Sequence, residues 1–126
     1  MTEIIIIRHG ETEWNKTGRF QGQSDVPLSP EGHAQAALLG QHLDVDHADA
    51  FYASDLIRTM ETAAPLAKRL GLTVVPDPAL RELHFGAWEG RFFSEINTED
   101  PETLKHFYRD PEHANIPDSE DFSVFQ

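Results

Sequence analysis

The sequence predicts an α/β fold with a mostly parallel sheet and helices on both faces. Three observations carry that reading: an unbroken β-branched run at residues 3–7, two later stretches of helical periodicity that each begin at a serine, and short strand-like segments between and after them. Taken in order they spell strand, helix, strand, helix, strand.

Glu3-Ile4-Ile5-Ile6-Ile7 has strand length and no alternation, the pattern of a strand buried on both faces. It ends in Arg8-His9-Gly10. Residues 10–29 are mostly polar, carry Gly10, Gly18, Gly22 and Pro27, and read as a long irregular loop, a feature often tied to function in compact domains. Ser29-Pro30-Glu31 starts a helix, with serine as N-cap and proline where its missing N–H costs nothing. Ala34, Ala37, Leu38 and Leu43 are its expected buried stripe. Residues 49–53 form the second strand. Ser54-Asp55 opens the next helix, with Leu56, Met60, Ala63, Ala64 and Ala67 at helical spacing and Gly71 as its stop. Residues 72–75 are the third strand, and a loop through Gly90 carries Arg81-Glu82 and Trp88-Glu89-Gly90.

The length of 126 residues suits one domain. With 39% hydrophobic and 10% aromatic residues it is neither disordered nor low in complexity, and it has no internal repeats. Ten basic against 22 acidic side chains give a net charge of −12, which opposes nucleic acid and anionic membrane surfaces as partners. The absence of cysteine excludes disulfides, thiolate metal sites and a thiol nucleophile. With no apolar run longer than four residues and no leader-like segment, the expected location is cytoplasmic. Residues 94–126 hold nine acidic and two basic side chains, so the surplus charge is C-terminal. Short helices are expected at 92–97 and 101–109, whereas 110–121 is too polar to assign. Phe122, Val124 and Phe125 look like the first turn of an amphipathic helix without continuation, as if the sequence stopped inside an element.

Ligands of open α/β sheets bind at the carboxyl ends of the strands. Arg8 and His9 end the first strand, and Arg58 lies in the first turn of the helix after the second, whose free N–H groups favour anions. Two guanidiniums, an imidazole and a helix start suit a phosphoryl group, whose oxygens match guanidinium forks. A neutral imidazole nitrogen can attack phosphorus and carry the group covalently, with the arginines offsetting charge on its oxygens. Glu82, flanked by Leu80, Leu83 and Phe85, is the carboxyl group expected to be desolvated, with a raised pKa, as general acid. Taken singly, His9, Arg58 and Glu82 also look like structural or surface residues; their joint placement at strand ends and helix starts carries the functional reading. The remaining histidines show no metal-ligand spacing, so no metal or other cofactor is expected. His84 stands out because it lies two residues from Glu82. Trp88 and Phe85 read as core anchors.

The chain resembles the histidine phosphatase superfamily of phosphoglycerate mutase-like enzymes. The likeness runs through Arg8-His9-Gly10-Glu11-Thr12-Glu13-Trp14-Asn15, Gly18-Arg19-Phe20-Gln21-Gly22, Asp25-Val26-Pro27-Leu28-Ser29-Pro30-Glu31-Gly32, Ala53-Ser54-Asp55-Leu56-Ile57-Arg58-Thr59, Thr62-Ala63 and Leu80-Arg81-Glu82-Leu83-His84-Phe85-Gly86-Ala87-Trp88-Glu89-Gly90. It implies that His9 is the phospho-accepting nucleophile, that Arg8 and Arg58 hold the phosphoryl group and that Glu82 donates the proton. Asn15, Gln21, Gly22 and Ser24 are implied as phosphate- or substrate-loop residues, and the substrate as a small phosphorylated metabolite.

The family pattern also has a second histidine, followed by glycine, on a late strand. No residue here occupies that place, and residues 116–122 are similar to a turn that precedes it, with Glu120 matching its glutamate. The resemblance therefore implies the first three fifths of a usual member: one domain incomplete at its C-terminus, with residues 91–126 as an acidic helical substrate cap. Such a chain would expose sheet edges, which favours a homo-oligomer formed by edge pairing or domain swapping as its protein partner. The mutase pattern has a tyrosine where this chain has Phe85 and a lysine near Phe93, so the resemblance favours phosphomonoester hydrolysis. A cofactor-dependent phosphoglycerate mutase and a catalytically incomplete phosphate-binding fragment stand as alternatives.

Overall fold

A computed structural model describes residues 1–124 and divides into two compact units, one of residues 1–12 and 27–80, the other of residues 13–26 and 81–126. The first is a small α/β unit. Helix α2, Pro30–His42, starts where the sequence places it: the Ser29 hydroxyl accepts the Gly32 N–H at 3.0 Å and Pro30 fills the first turn. (Helix α1, Glu13–Thr17, belongs to the other unit.) Strand β1 is Tyr52–Ala53, helix α3 is Ile57–Leu70, and strand β2, Val75–Pro76, pairs parallel with β1 in the register Tyr52–Val75 and Ala53–Pro76. The crossover from β1 through α3 to β2 is the parallel βαβ pattern the sequence predicts, in strands of two residues each.

Helix α3 begins at Ile57, two residues past the expected Asp55, because the Ser54 hydroxyl engages Thr59 Oγ1 at 2.7 Å while the chain between them is still extended at Leu56. Its stop is as expected: Gly71 takes the left-handed φ of +67°, and its N–H closes on Ala67 and Lys68 carbonyls. Pro65 sits inside the helix, where it has no N–H to give the Glu61 carbonyl. Leu56, Ala63, Leu66 and Ala67 are buried, but Ala64 of the expected stripe is exposed.

The buried face of α2 corrects the sequence reading more sharply. Ala34, Ala37 and Leu38 point to solvent, and Gly32, Ala36 and Gly40 are buried instead. These three recur every fourth residue on one face; a methyl on Gly40 would come within 2.8 Å of Pro65 Cβ on α3, and one on Gly32 would land on the Glu11 main chain. Close approach of main chain, from α3 at Gly40 and from Glu11 at Gly32, favours these small residues, which hydrophobicity alone ranks last.

Residues 4–7 are likewise not a buried strand. Ile4 and Ile6 are 78% and 90% exposed, and the run has no ladder partner among the described residues. The β-branched composition is right for a sheet interior, but a strand needs a neighbour to take its N–H and C=O groups.

The second unit packs around Trp88, Ile96, Leu104, Ile116 and Phe122, flanked by Phe20, Leu83, Phe85 and Phe107. Trp88 and Phe85 are core anchors as read from the sequence. Edge-to-face pairs at 5.7 Å (Phe85–Phe107), 5.8 Å (Trp88–Phe107) and 5.9 Å (Phe85–Phe122) fix their orientation. Helices α4, Phe93–Glu99, and α5, Pro101–Arg109, match the two expected short helices. At the start of α4 the Glu95 carboxylate accepts the Phe92 N–H at 3.0 Å, which holds its pKa below the usual value. Asp100 caps α5 through the Thr103 N–H. Phe122, expected to begin an unpartnered turn, is buried in this core within a 3-10 turn, Phe122–Val124. Phe125, the last apolar residue of that expected turn, lies outside the described residues. The loop expected over 10–29 contains α1 as its one helix.

Candidate active site

The first unit positions His9 and Arg58. Arg58 occupies the opening turn of α3 and is only 2% exposed, a buried guanidinium. Four residues on, the Thr62 hydroxyl donates to the Arg58 carbonyl at 2.7 Å and accepts the Gly10 N–H at 3.0 Å. One buried hydroxyl thus ties the residue after His9 to the turn that carries Arg58. The same segment is held from the other side by α2: the Ser29 N–H and hydroxyl both donate to the Glu11 carbonyl, at 2.9 and 3.1 Å, and the Glu11 N–H donates to Gln35 Oε1 at 2.9 Å. An antiparallel bridge from Thr12 to Leu28 completes the clamp. Glu61, one turn into α3, takes the Leu28 N–H at 3.0 Å and faces His33 Nε2 at 3.0 Å.

This framework settles the chemistry of the His9 ring. Nδ1 lies 2.6 Å from the Gly10 carbonyl oxygen. A carbonyl can only accept, so Nδ1 carries the proton and, in the neutral ring, the lone pair is on Nε2. His9 is half-buried and Arg8 is exposed. Residues 5–10 line one side of an open groove of about 380 Å³, and Gln35, Ala36, Leu39, Leu43 and Thr62 line the rest.

The second unit carries the remaining site residues of the sequence reading. Asn15 is exposed on α1; Gln21 and Gly22 are buried; the Ser24 hydroxyl donates to Glu89 Oε2 at 2.7 Å. Glu82 is exposed, not desolvated as its apolar neighbours suggested, because Leu83 and Phe85 turn into the core and leave it at the surface. Its Oε1 accepts the Leu83 N–H at 2.9 Å. Gln23 joins it to the preceding loop, donating from Nε2 to the Glu82 carbonyl at 3.1 Å. The neighbouring His84 is pinned through its backbone: its N–H donates to Glu120 Oε1 at 2.6 Å, and the Glu120 N–H returns to the His84 carbonyl at 3.2 Å. Arg19 is also engaged, its guanidinium 4.3 Å from the Phe92 ring centre.

Two residues gained weight only from the structure. Thr62 and Glu89 stood inside quoted motifs without a role; a polar residue on the buried face of α3 was the available signal for Thr62. Among the described residues no three His, Asp or Glu side chains gather as metal ligands, and no helix is long and apolar enough to cross a membrane.

A backbone-oriented histidine after an isoleucine run and a buried arginine at a helix start are thus linked within one unit through Thr62. The family model described as "Histidine phosphatase superfamily (branch 1)" matches residues 4–126, and the chain belongs to that superfamily. The protein named "Probable phosphoglycerate mutase GpmB" of Yersinia pestis (strain Pestoides F) is 41% identical over 120 residues, which are 95% of this chain and 56% of that protein. Among solved structures, Bacillus stearothermophilus YhfR superposes with a TM-score of 0.84 at 37% identity, covering 94% of this chain and 59% of that one. The alpha-ribazole phosphatase from Shigella flexneri gives 0.82 at 35% identity, with 94% and 59% coverage. The chain thus spans somewhat over half the length of the relatives it matches.

Proposed function

We propose that this chain belongs to a phosphomonoester hydrolase that acts on a small phosphorylated metabolite through a phosphohistidine at His9. The observation that carries the reading is the 2.6 Å contact between His9 Nδ1 and the Gly10 carbonyl, which directs the lone pair to Nε2. That nitrogen attacks phosphorus, the ester P–O bond breaks, and Arg8 and Arg58 offset charge on the transferred oxygens. Glu82 delivers its proton to the departing alkoxide. A water then attacks the phosphohistidine, Glu82 takes up its proton, and inorganic phosphate and unmodified His9 are restored. Asn15, Gln21, Gly22 and Ser24 contribute the loop that faces the substrate. An exposed Glu82 suits a residue that gives a proton to the leaving group and takes one back from water in each cycle. Hydrolysis is favoured over transfer because Phe85 is committed to the aromatic core and Phe93 is apolar, so neither offers a polar group to a phosphoglycerate.

A mutase is the second reading, and the names of the curated relatives support it. Both are tested by incubating the full chain with p-nitrophenyl phosphate and with 3-phosphoglycerate, with and without a bisphosphoglycerate primer. Hydrolysis predicts phosphate release that needs no primer and is abolished in His9→Ala; primer-dependent conversion between phosphoglycerates favours the mutase. Stoichiometric ester binding without turnover shows a phosphate-binding fragment, and undiminished turnover in His9→Ala refutes the phosphohistidine.

A further inference from the structure

Glu89 is a nearly buried carboxylate, its side chain 12% exposed, with a donor on every side. Oε1 accepts the N–H groups of Gln23, at 2.8 Å, and Phe85, at 3.2 Å; Oε2 accepts the Ser24 hydroxyl at 2.7 Å; His84 Nε2 stands 3.8 Å from Oε1. The backbone of Glu89 is fixed as well. It ends the 3-10 turn Gly86–Trp88, its N–H closes on the Gly86 carbonyl, and it bridges to Phe20, while the Gly90 N–H donates to the Phe20 carbonyl at 2.8 Å.

Two irregular segments with no ladder between them, the loop at 21–24 and the stretch at 82–85, therefore meet on one side chain. Their inward N–H groups need an acceptor, and a carboxylate has enough lone pairs to serve both and the serine. Gln23, which Glu89 holds by its backbone, reaches on to the Glu82 carbonyl. Each segment carries residues assigned above to substrate or to proton transfer.

We propose that Glu89 is a positioning residue of the phosphoryl-transfer site, setting the spacing between the 21–24 loop and the segment that presents Glu82. The proposal rests on the phosphohistidine reading. The two carboxylates then have different roles, since Glu82 exchanges the proton and Glu89 touches neither substrate nor proton.

The test compares Glu89→Ala and Glu89→Gln in the full chain, with an alkyl phosphate and p-nitrophenyl phosphate as substrates. The alkyl ester needs a well-placed acid to leave, whereas p-nitrophenolate leaves with little help. Glu89→Ala should lower kcat on the alkyl ester by at least about tenfold, a fraction of what a general acid supplies, with a much smaller loss on the nitrophenyl ester. Glu89→Gln keeps the carbonyl oxygen for both N–H groups and turns its amide toward the serine, so it should restore the alkyl ester rate to within about threefold, the amide being isosteric. Amide exchange supplies the second readout: in Glu89→Ala protection falls at Gln23 and Phe85 and is kept at Ile96 and Leu104 in the core. Equal losses on the two esters, or an unchanged alkyl ester rate with protection lost, overturn the positioning role. Absence of turnover in the unmodified chain refutes the phosphatase reading and the positioning role with it, while an active chain with an unaffected Glu89→Ala refutes the positioning role alone.

Discussion

Replacing Thr62 by valine removes one hydroxyl from the point where the His9–Gly10 segment meets the helix that carries Arg58. Thr62 is 5% exposed, and valine fills almost the same volume, so packing changes little. The Gly10 N–H, buried itself, loses its acceptor at 3.0 Å. An orphaned buried donor costs about 1–3 kcal/mol. The Arg58 carbonyl, which lies at a helical position where backbone N–H groups also point, loses less. The expected destabilisation of this unit is therefore about 1–3 kcal/mol, equivalent to about 5- to 150-fold faster opening at the Gly10 amide. Both tryptophans, Trp14 and Trp88, lie in the other unit, so the measurement is urea unfolding followed by far-UV ellipticity, which α2 and α3 dominate here, together with exchange at Gly10. Thr62→Ser keeps the hydroxyl and should retain Gly10 protection. A Thr62→Val protein with an unchanged midpoint and unchanged Gly10 exchange would show that the hydroxyl does not tie the two segments together.

Gly86 has a φ of +57°, and a methyl there would land on the backbone of residues 117–119, while the Ala87 N–H donates to the Pro117 carbonyl at 2.8 Å. Gly86→Ala should therefore cost about 2–5 kcal/mol, the sum of left-handed strain and overpacking against main chain, read as a lower urea midpoint by tryptophan fluorescence; a midpoint unchanged within error refutes the close approach. Asp110 contacts His113 Nδ1 with both oxygens, at 3.0 and 2.9 Å, and holds the imidazole above its usual value near 6.5. Because the folded-state pKa is the raised one, the pair's contribution to stability is complete below the unfolded value and is lost as pH rises through the folded one. An NMR titration should place His113 above the ordinary histidine range and Asp110→Asn should bring it back; a His113 that titrates in the ordinary range with Asp110 present refutes the contact.

What the sequence reveals and what it hides divides along a physical line. Ser29-Pro30 and Gly71 were legible because capping is settled by the residue and its immediate neighbours, and Arg58 was legible because its place follows from a helix start. The face of α2 was not, since what buries it is the closeness of main chain from elsewhere, Pro65 of α3 at Gly40 and Glu11 at Gly32, and there small residues beat Leu38 despite having less apolar surface to hide. The isoleucine run is the converse case. Its composition states what surroundings it suits, yet exposure is decided by which backbone lies beside it, and no ladder forms there among the described residues. Glu82 and Glu89 make the contrast within a single loop. Seven residues apart and equal in charge, one is exposed and one is nearly buried among donors, because the 3-10 turn over Gly86–Trp88 sends Trp88 into the core and draws Glu89 in after it. Apolar neighbours in sequence pointed to Glu82 as the desolvated carboxylate. The turn reverses the assignment, so that the exposed carboxylate and the one spent on holding backbone are distinguished by geometry that no local pattern encodes.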